Sequence, residues 1–241
     1  MESSSTFILI VVLVLALFGV FAFLSYLAAK KRREAFQAYA ATKGWTWTER
    51  DDQWIEAFDG APFGLGHDRR AENVLTGAFE SRTFAAFDYS YRTTETSTDS
   101  DGHTTTHEET HNFSVAAVDV GVVCPNLHVS PEGFFGRAIG KLTNHDIQLE
   151  SEEFNRAFTV HCEDRKFASD VLHPRLMEAL LTFRDIEWRF DRSWIVTVSS
   201  GGHNPAEVDR ALTSISSVVD AIPDFVWEDH GGKPGAPVQG S

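Results

Sequence analysis

The hydrophobic pattern divides the chain into two unequal parts. From Phe7 to Ala29 runs FILIVVLVLALFGVFAFLSYLAA, 23 residues without a charge, 16 of them Leu, Ile, Phe or Val. As a helix this run spans about 34 Å, enough to cross a hydrocarbon layer of about 30 Å. Its apolar side chains favour insertion by up to about 5–10 kcal/mol. Lys30, Lys31, Arg32 and Arg33 follow at once, whereas the leader MESSST has no basic residue. The positive-inside bias therefore predicts a short extracytoplasmic N-terminus (1–6), a transmembrane helix (7–29) and a cytoplasmic remainder, anchored in the cell membrane by a single pass. A cleaved signal peptide fits poorly. It would need a basic n-region, an apolar core of about 7–15 residues and a small-x-small cleavage site. Here Leu27-Ala28-Ala29 carries the wrong first residue.

Beyond the lipid, Phe36, Tyr39, Ala40 and Lys43 recur at helical spacing and Gly44 supplies a stop, so residues 30–44 read as a helical stalk. A dimerising or signal-transmitting helix is the alternative, although Ser25 and Ala29 form the only small-xxx-small pair and lie at the edge of the span.

Residues 45–227 alternate between strand and helix signals. A short helix is expected over Asp51–Phe58, followed by the Gly/Pro-rich bend Asp59–Gly64. Residues 73–80 and 83–92 predict a hairpin, with Ala85, Phe87, Tyr89 and Tyr91 on one face. Residues 112–123 are nearly all apolar, as in a central strand covered on both sides. Between them the polar insert 93–111, with eight threonines, reads as a long mobile hairpin tip. Short strands are expected at 147–150 and 158–162, then a helix opened by Pro174 whose buried stripe is Leu176, Met177, Leu180 and Leu181. A hairpin over 186–190 and 194–198 follows. The last helix carries a complete start signal, with Asn204 as N-cap, Pro205 in the first turn and Glu207 closing a capping box. Residues 228–241 read as a disordered tail. Strands in groups with helices at the ends predict an α+β domain of mainly antiparallel sheet.

Composition narrows the function classes. Apolar residues form 42% of the chain and aromatic residues 12%, which excludes a cytoplasmic part that is mainly disordered. Residues 34–241 carry 17 basic against 34 acidic residues, a surface that repels phosphate backbones and argues against nucleic acid as a partner. The same charge predicts a domain that stands off the anionic bilayer. Cys124 and Cys162 lie in apolar stretches and read as buried thiols.

The stretch LESEEFNRAFTVHCEDRKFASDVLHPRLMEALL (Leu149–Leu181) resembles the core of a bacterial family of uncharacterised membrane-anchored proteins. Gly44-Trp45, Asp88-Tyr89-Ser90-Tyr91 and Pro223-Asp224-Phe225-Val226-Trp227 are similar to its actinobacterial branch. The resemblance implies an N-terminal anchor and a cytoplasmic α+β domain, and brings no activity, cofactor or site residue.

Candidate chemistry is sparse. His103, His107 and His111 recur every four residues, which on a helix would place three imidazoles on one face as a zinc or nickel site. Among threonines and between strands, a solvated loop is the plainer reading, and no metal ligand is assigned. Ser97, Asp99, Asp101, Gly102 and Glu108 fall near calcium-loop spacing, but without an acidic first ligand or flanking helices. The threonines of the insert are also candidate phosphorylation sites. Gly136–Lys141 falls one residue short of a phosphate-binding loop. Ser199–His203 reads as the turn before the last helix, and Asp170 near His173 as a helix cap. No catalytic residue and no cofactor are predicted. The expected function is a binding, scaffolding or regulatory module with a protein partner or a second copy of itself. The alternatives are a hydrolase-like enzyme, with His128, His161, Glu153 and Glu163 converging in a cleft, and a metal sensor using the histidine-bearing insert.

Overall fold

The computed structural model describes residues 2–98, 104–132, 147–182 and 187–232. Its N-terminal helix α1 runs unbroken from Glu2–Lys43. Phe18, Phe21 and Phe23 stand 60–72% exposed on it, an apolar surface left open among the described residues. It is the one helix among the described residues long and apolar enough to cross a membrane.

The rest is α+β. Among the described residues eight strands form one antiparallel sheet: β1 (Thr46–Arg50), β2 (His67–Phe79), β3 (Arg82–Thr98), β4 (Thr104–Asp119), β5 (Leu127–Pro131), β6 (Phe158–Cys162), β7 (Trp188–Asp191) and β8 (Trp194–Ser200). Their spatial order is β1-β2-β3-β4-β8-β7-β5-β6, so the late hairpin β7–β8 lies between β4 and β5. Helices cover one face: α2 (Glu152–Ala157), α3 (Arg165–Val171), α4 (Pro174–Thr182), α5 (Pro205–Ala221) and α6 (Asp224–Asp229).

Period-two alternation gives the sheet two apolar faces. Phe84, Ala86, Ala116, Val118 and Ile195 meet the helices, including Val208, Leu212, Ile215 and Val219 of α5. Ala85, Phe87, Tyr89, Val115, Ala117 and Val196 point the other way, under Phe58 and Phe63 of the 51–66 connection. Strand β4 is thus covered on both sides, as its apolar run requires. Buried polar groups hold the covering connection down. Arg189 donates to Ala61 O at 2.8 Å and lies over the Phe63 ring, while the Asp59 N–H donates to Asp191 at 2.5 Å.

Several local expectations need correction. The 51–58 segment holds only a 3-10 turn, Asp52–Trp54, with Asp51 as its cap. Residues 147–150 form no strand, although the Ile147 N–H donates to Val160 O at 2.9 Å. The segment after β6 makes two helices, the first capped by Asp164. Asp170 lies inside that helix and pairs with Lys166 at 2.7 Å; it caps nothing. Strands β1 and β5 and helices α2 and α6 are additions to the predicted set, and α6 carries helical structure to Asp229.

The expected stalk is part of the fold. Phe36 and Ala40 on α1 are 1% and 2% exposed and belong to the main core. Lys43 pairs with Asp209 of α5 at 2.8 Å, and Trp45 packs edge-on against Phe84 at 4.5 Å.

The described residues of the polar insert, 93–98 and 104–111, are paired strand and not a loose tip. Strands β3 and β4 stay paired through them, out to Thr98↔Thr104. The outer part of this ribbon is exposed on both faces.

Candidate functional site

Asp88 sits on the helix-facing side of β3, at the end of the sheet where apolar residues give way to polar ones. Both of its oxygens are fully used. Arg32 of α1 donates to them from two nitrogens, at 2.6 and 2.9 Å. Asn73 Nδ2 donates at 2.8 Å and the His203 backbone N–H at 3.1 Å. A planar guanidinium meeting a carboxylate by two bonds is a strong, oriented pairing. Arg32 also donates to the His203 carbonyl.

Local features of three elements create this cluster. In β2 the pairing shifts between Glu72 and Leu75, and Asn73 adopts φ +50°. Such a bulge re-aims a side chain, and Asn tolerates the left-handed region better than most residues. After β8, Gly202 lets the chain pass close by. A methyl group there would lie 2.8 Å from Arg32 and 3.1 Å from Asp88. The turn then delivers His203 and the Asn204 cap of α5, whose capping box with Glu207 is complete.

Beside the cluster lies a groove of about 350 Å³ between α5 and strands β4 and β8. Ser114, Thr197 and Ser199 form its floor, and Glu207, Arg210 and Ser214 its helical wall. Ser114 is the cross-strand partner of Asp88, so cluster and groove are contiguous. Thr197 is committed to Glu187 O at 2.7 Å. Glu207 accepts from the Asn204 N–H at 2.7 Å and lies 4.0 Å from Arg210. His203 lines the same groove and is 6% exposed, with no partner for Nδ1 among the described residues. Burial brings its pKa down to about 4, against the opposing pull of Asp88. The imidazole is therefore neutral at pH 7.

The residues singled out in the sequence are scattered. Of the four basic residues, Lys30, Lys31 and Arg33 are exposed and Arg32 turns inward. Arg33 pairs with Glu49 at 2.6 Å and Lys30 lies 3.9 Å from Glu34. His103 lies outside the described residues. His107 and His111 are four apart on a strand, about 13 Å at 3.3 Å per residue. The helical spacing that would join them is absent, and His111 instead bonds to Thr93 at 2.9 Å. Asp99, Asp101 and Gly102, and all of Gly136–Lys141, also fall outside the described residues. His128 and His161 face each other across β5 and β6, their rings 6.5 Å apart, and His128 meets Glu187 at 2.9 Å. Glu153 and Glu163 are exposed. Among the described residues no three His, Cys, Asp or Glu side chains gather as a metal-ligand set. Cys124 and Cys162 are free and buried, and burial pushes the Cys124 thiol up to about 12.

Residues 120–199, from the end of β4 through most of β8, match a family described as a protein of unknown function (DUF3137). That segment contains the groove floor at Thr197 and Ser199, but neither Asp88 nor α5. No curated protein matches the chain. Among solved structures, the mycobacterial trehalose monomycolate transport factor A, TtfA, is similar, with a TM-score of 0.54 at 13% identity over 79% of this chain and 96% of that one. At that identity the likeness shows a shared fold.

Proposed function

We propose that this protein is a membrane-anchored binding and scaffolding module. Residues 7–29 cross the bilayer once, and the α+β domain faces the cytoplasm. The observation that carries this reading is the unbroken course of α1 from an apolar surface into the core at Phe36 and Ala40. An exposed apolar surface of that extent calls for lipid or a partner. The basic flank supports the cytoplasmic placement by the positive-inside bias. The similar mycobacterial protein is a trehalose monomycolate transport factor, which supports a place for this module beside membrane transport machinery.

Membrane extraction and tag accessibility test the reading. The full chain should resist alkaline carbonate and dissolve in detergent. A C-terminal tag should be protected from protease in intact spheroplasts and cut in inverted vesicles. Protection in the opposite sense would reverse the sidedness, and a mature chain beginning after Ala29 would remove the anchor. Crosslinking with mass spectrometry in native membranes should recover a membrane partner.

A further inference from the structure

The Arg32–Asp88 contact fixes the height of the groove above the bilayer, given the reading that residues 7–29 span it. Arg32 lies three residues past Ala29, about 4.5 Å along the helix axis. The polar headgroup layer on each side of a bilayer is about 5–7 Å thick. Asp88, Gly202 and His203 touch Arg32 or its partner. The end of the groove they border therefore lies at headgroup level.

The chemistry of the groove narrows what enters it. Its floor and wall carry the hydroxyls of Ser114, Thr197, Ser199 and Ser214. Ser199 and Ser214 make no side-chain hydrogen bond among the described residues, so they are open to a ligand as donors and acceptors. Of the nearby cations, Arg32 is spent on Asp88, and Arg210, largely exposed, shares the groove wall with Glu207 at 4.0 Å, so the wall carries no net positive charge. The His203 ring adds a buried nitrogen, Nδ1, that has no partner among the described residues. Many small hydroxyl groups and no net positive charge suit a neutral sugar and disfavour a phosphate. A volume of about 350 Å³ lies within the range of small-molecule sites.

We propose that the groove between α5 and strands β4 and β8 binds a neutral polyhydroxylated group, the sugar headgroup of a membrane lipid or the same sugar free in solution. Ser199 and Ser214 bond its hydroxyls.

The test uses the full chain in nanodiscs of phosphatidylcholine containing 10 mol% diglucosyldiacylglycerol or 10 mol% phosphatidylglycerol, with lipids retained on release read by native mass spectrometry. Free maltose is titrated separately against the detergent-solubilised chain, following the His203 ring resonances. Ser214→Phe fills the groove, and Ser217→Phe places the same bulk on the exposed face of the same helix. Preferential retention of the glycolipid, reduced at least tenfold by Ser214→Phe and unchanged by Ser217→Phe, supports the site with a lipid as its source. A maltose shift of the His203 signals without glycolipid preference supports it with a free sugar as its source. Ser199→Ala, a smaller change, should weaken either signal severalfold should Ser214→Phe fail to fold. Equal or greater retention of phosphatidylglycerol with no maltose response, or binding indifferent to both groove variants, overturns the proposal. The maltose arm needs no bilayer, so a failed anchor leaves it intact and the two readings fail separately.

Discussion

At the scale of single residues, the most consequential side chain is one whose charge alone was legible. Arg32 stands in the sequence as one of four flanking cations. That it turns inward depends on the rotation of α1 relative to a carboxylate 56 positions away, which no local pattern encodes. Asp88 accepts four hydrogen bonds, so Asp88→Ala leaves a guanidinium, an amide and a backbone N–H without their acceptor. We expect it to cost about 3 kcal/mol, read as a lower urea midpoint at unchanged slope. His203 looked like part of a turn, and its burial comes from α1 and β3 closing over that turn. Its pKa is about 4 in the folded protein against 6.5 when exposed. Between those values the unfolded chain holds the extra proton, so stability is full above pH 6.5 and falls as pH drops toward 4. The loss from this group is about 2 kcal/mol at pH 5. Urea unfolding at pH 7.5 and pH 5 should show His203→Gln less pH-sensitive than the parent by about that amount.

At the scale of elements, what was legible was what is local. The α5 start signal appears in the structure as read, because a capping box involves four consecutive residues. Strand β6 and the two-sided burial of β4 were also readable, since each carries its own apolar pattern. The outer ribbon was not. Its residues bury nothing, so no period-two apolar signal marks them, and only the β-branched threonines favour extended chain. Because it buries so little, it contributes little to the fold. Replacing residues 94–108 by Asn-Gly joins the paired residues Thr93 and Glu109 through a two-residue turn. Thermal melting should place this variant within a few degrees of the parent.

At the scale of the whole molecule, the N-terminal helix runs without a break into the core of the domain. The sequence suggested a rod bearing an acidic domain away from the lipid, because charge was the only guide to their spacing. The packing of Phe36 and Ala40 instead makes the last turns of α1 a wall of the core. Removing residues 1–29 should therefore give a soluble, cooperatively folding protein. Removing residues 1–43 also deletes Phe36, a loss of about 3–5 kcal/mol by itself. Differential scanning calorimetry of the two truncations separates these outcomes. Equal melting temperatures would show that the helix end is not part of the core.

The strand order bears on how the protein is made. Because β7 and β8 lie between β4 and β5, the sheet stays in two pieces until the ribosome has passed Ser200. At about 10 residues per second, roughly 8 s separate the emergence of β4 from that of β8. Through that interval the first four strands wait with an unsatisfied edge along β4, a template for wrong pairing for as long as translation takes to supply β8.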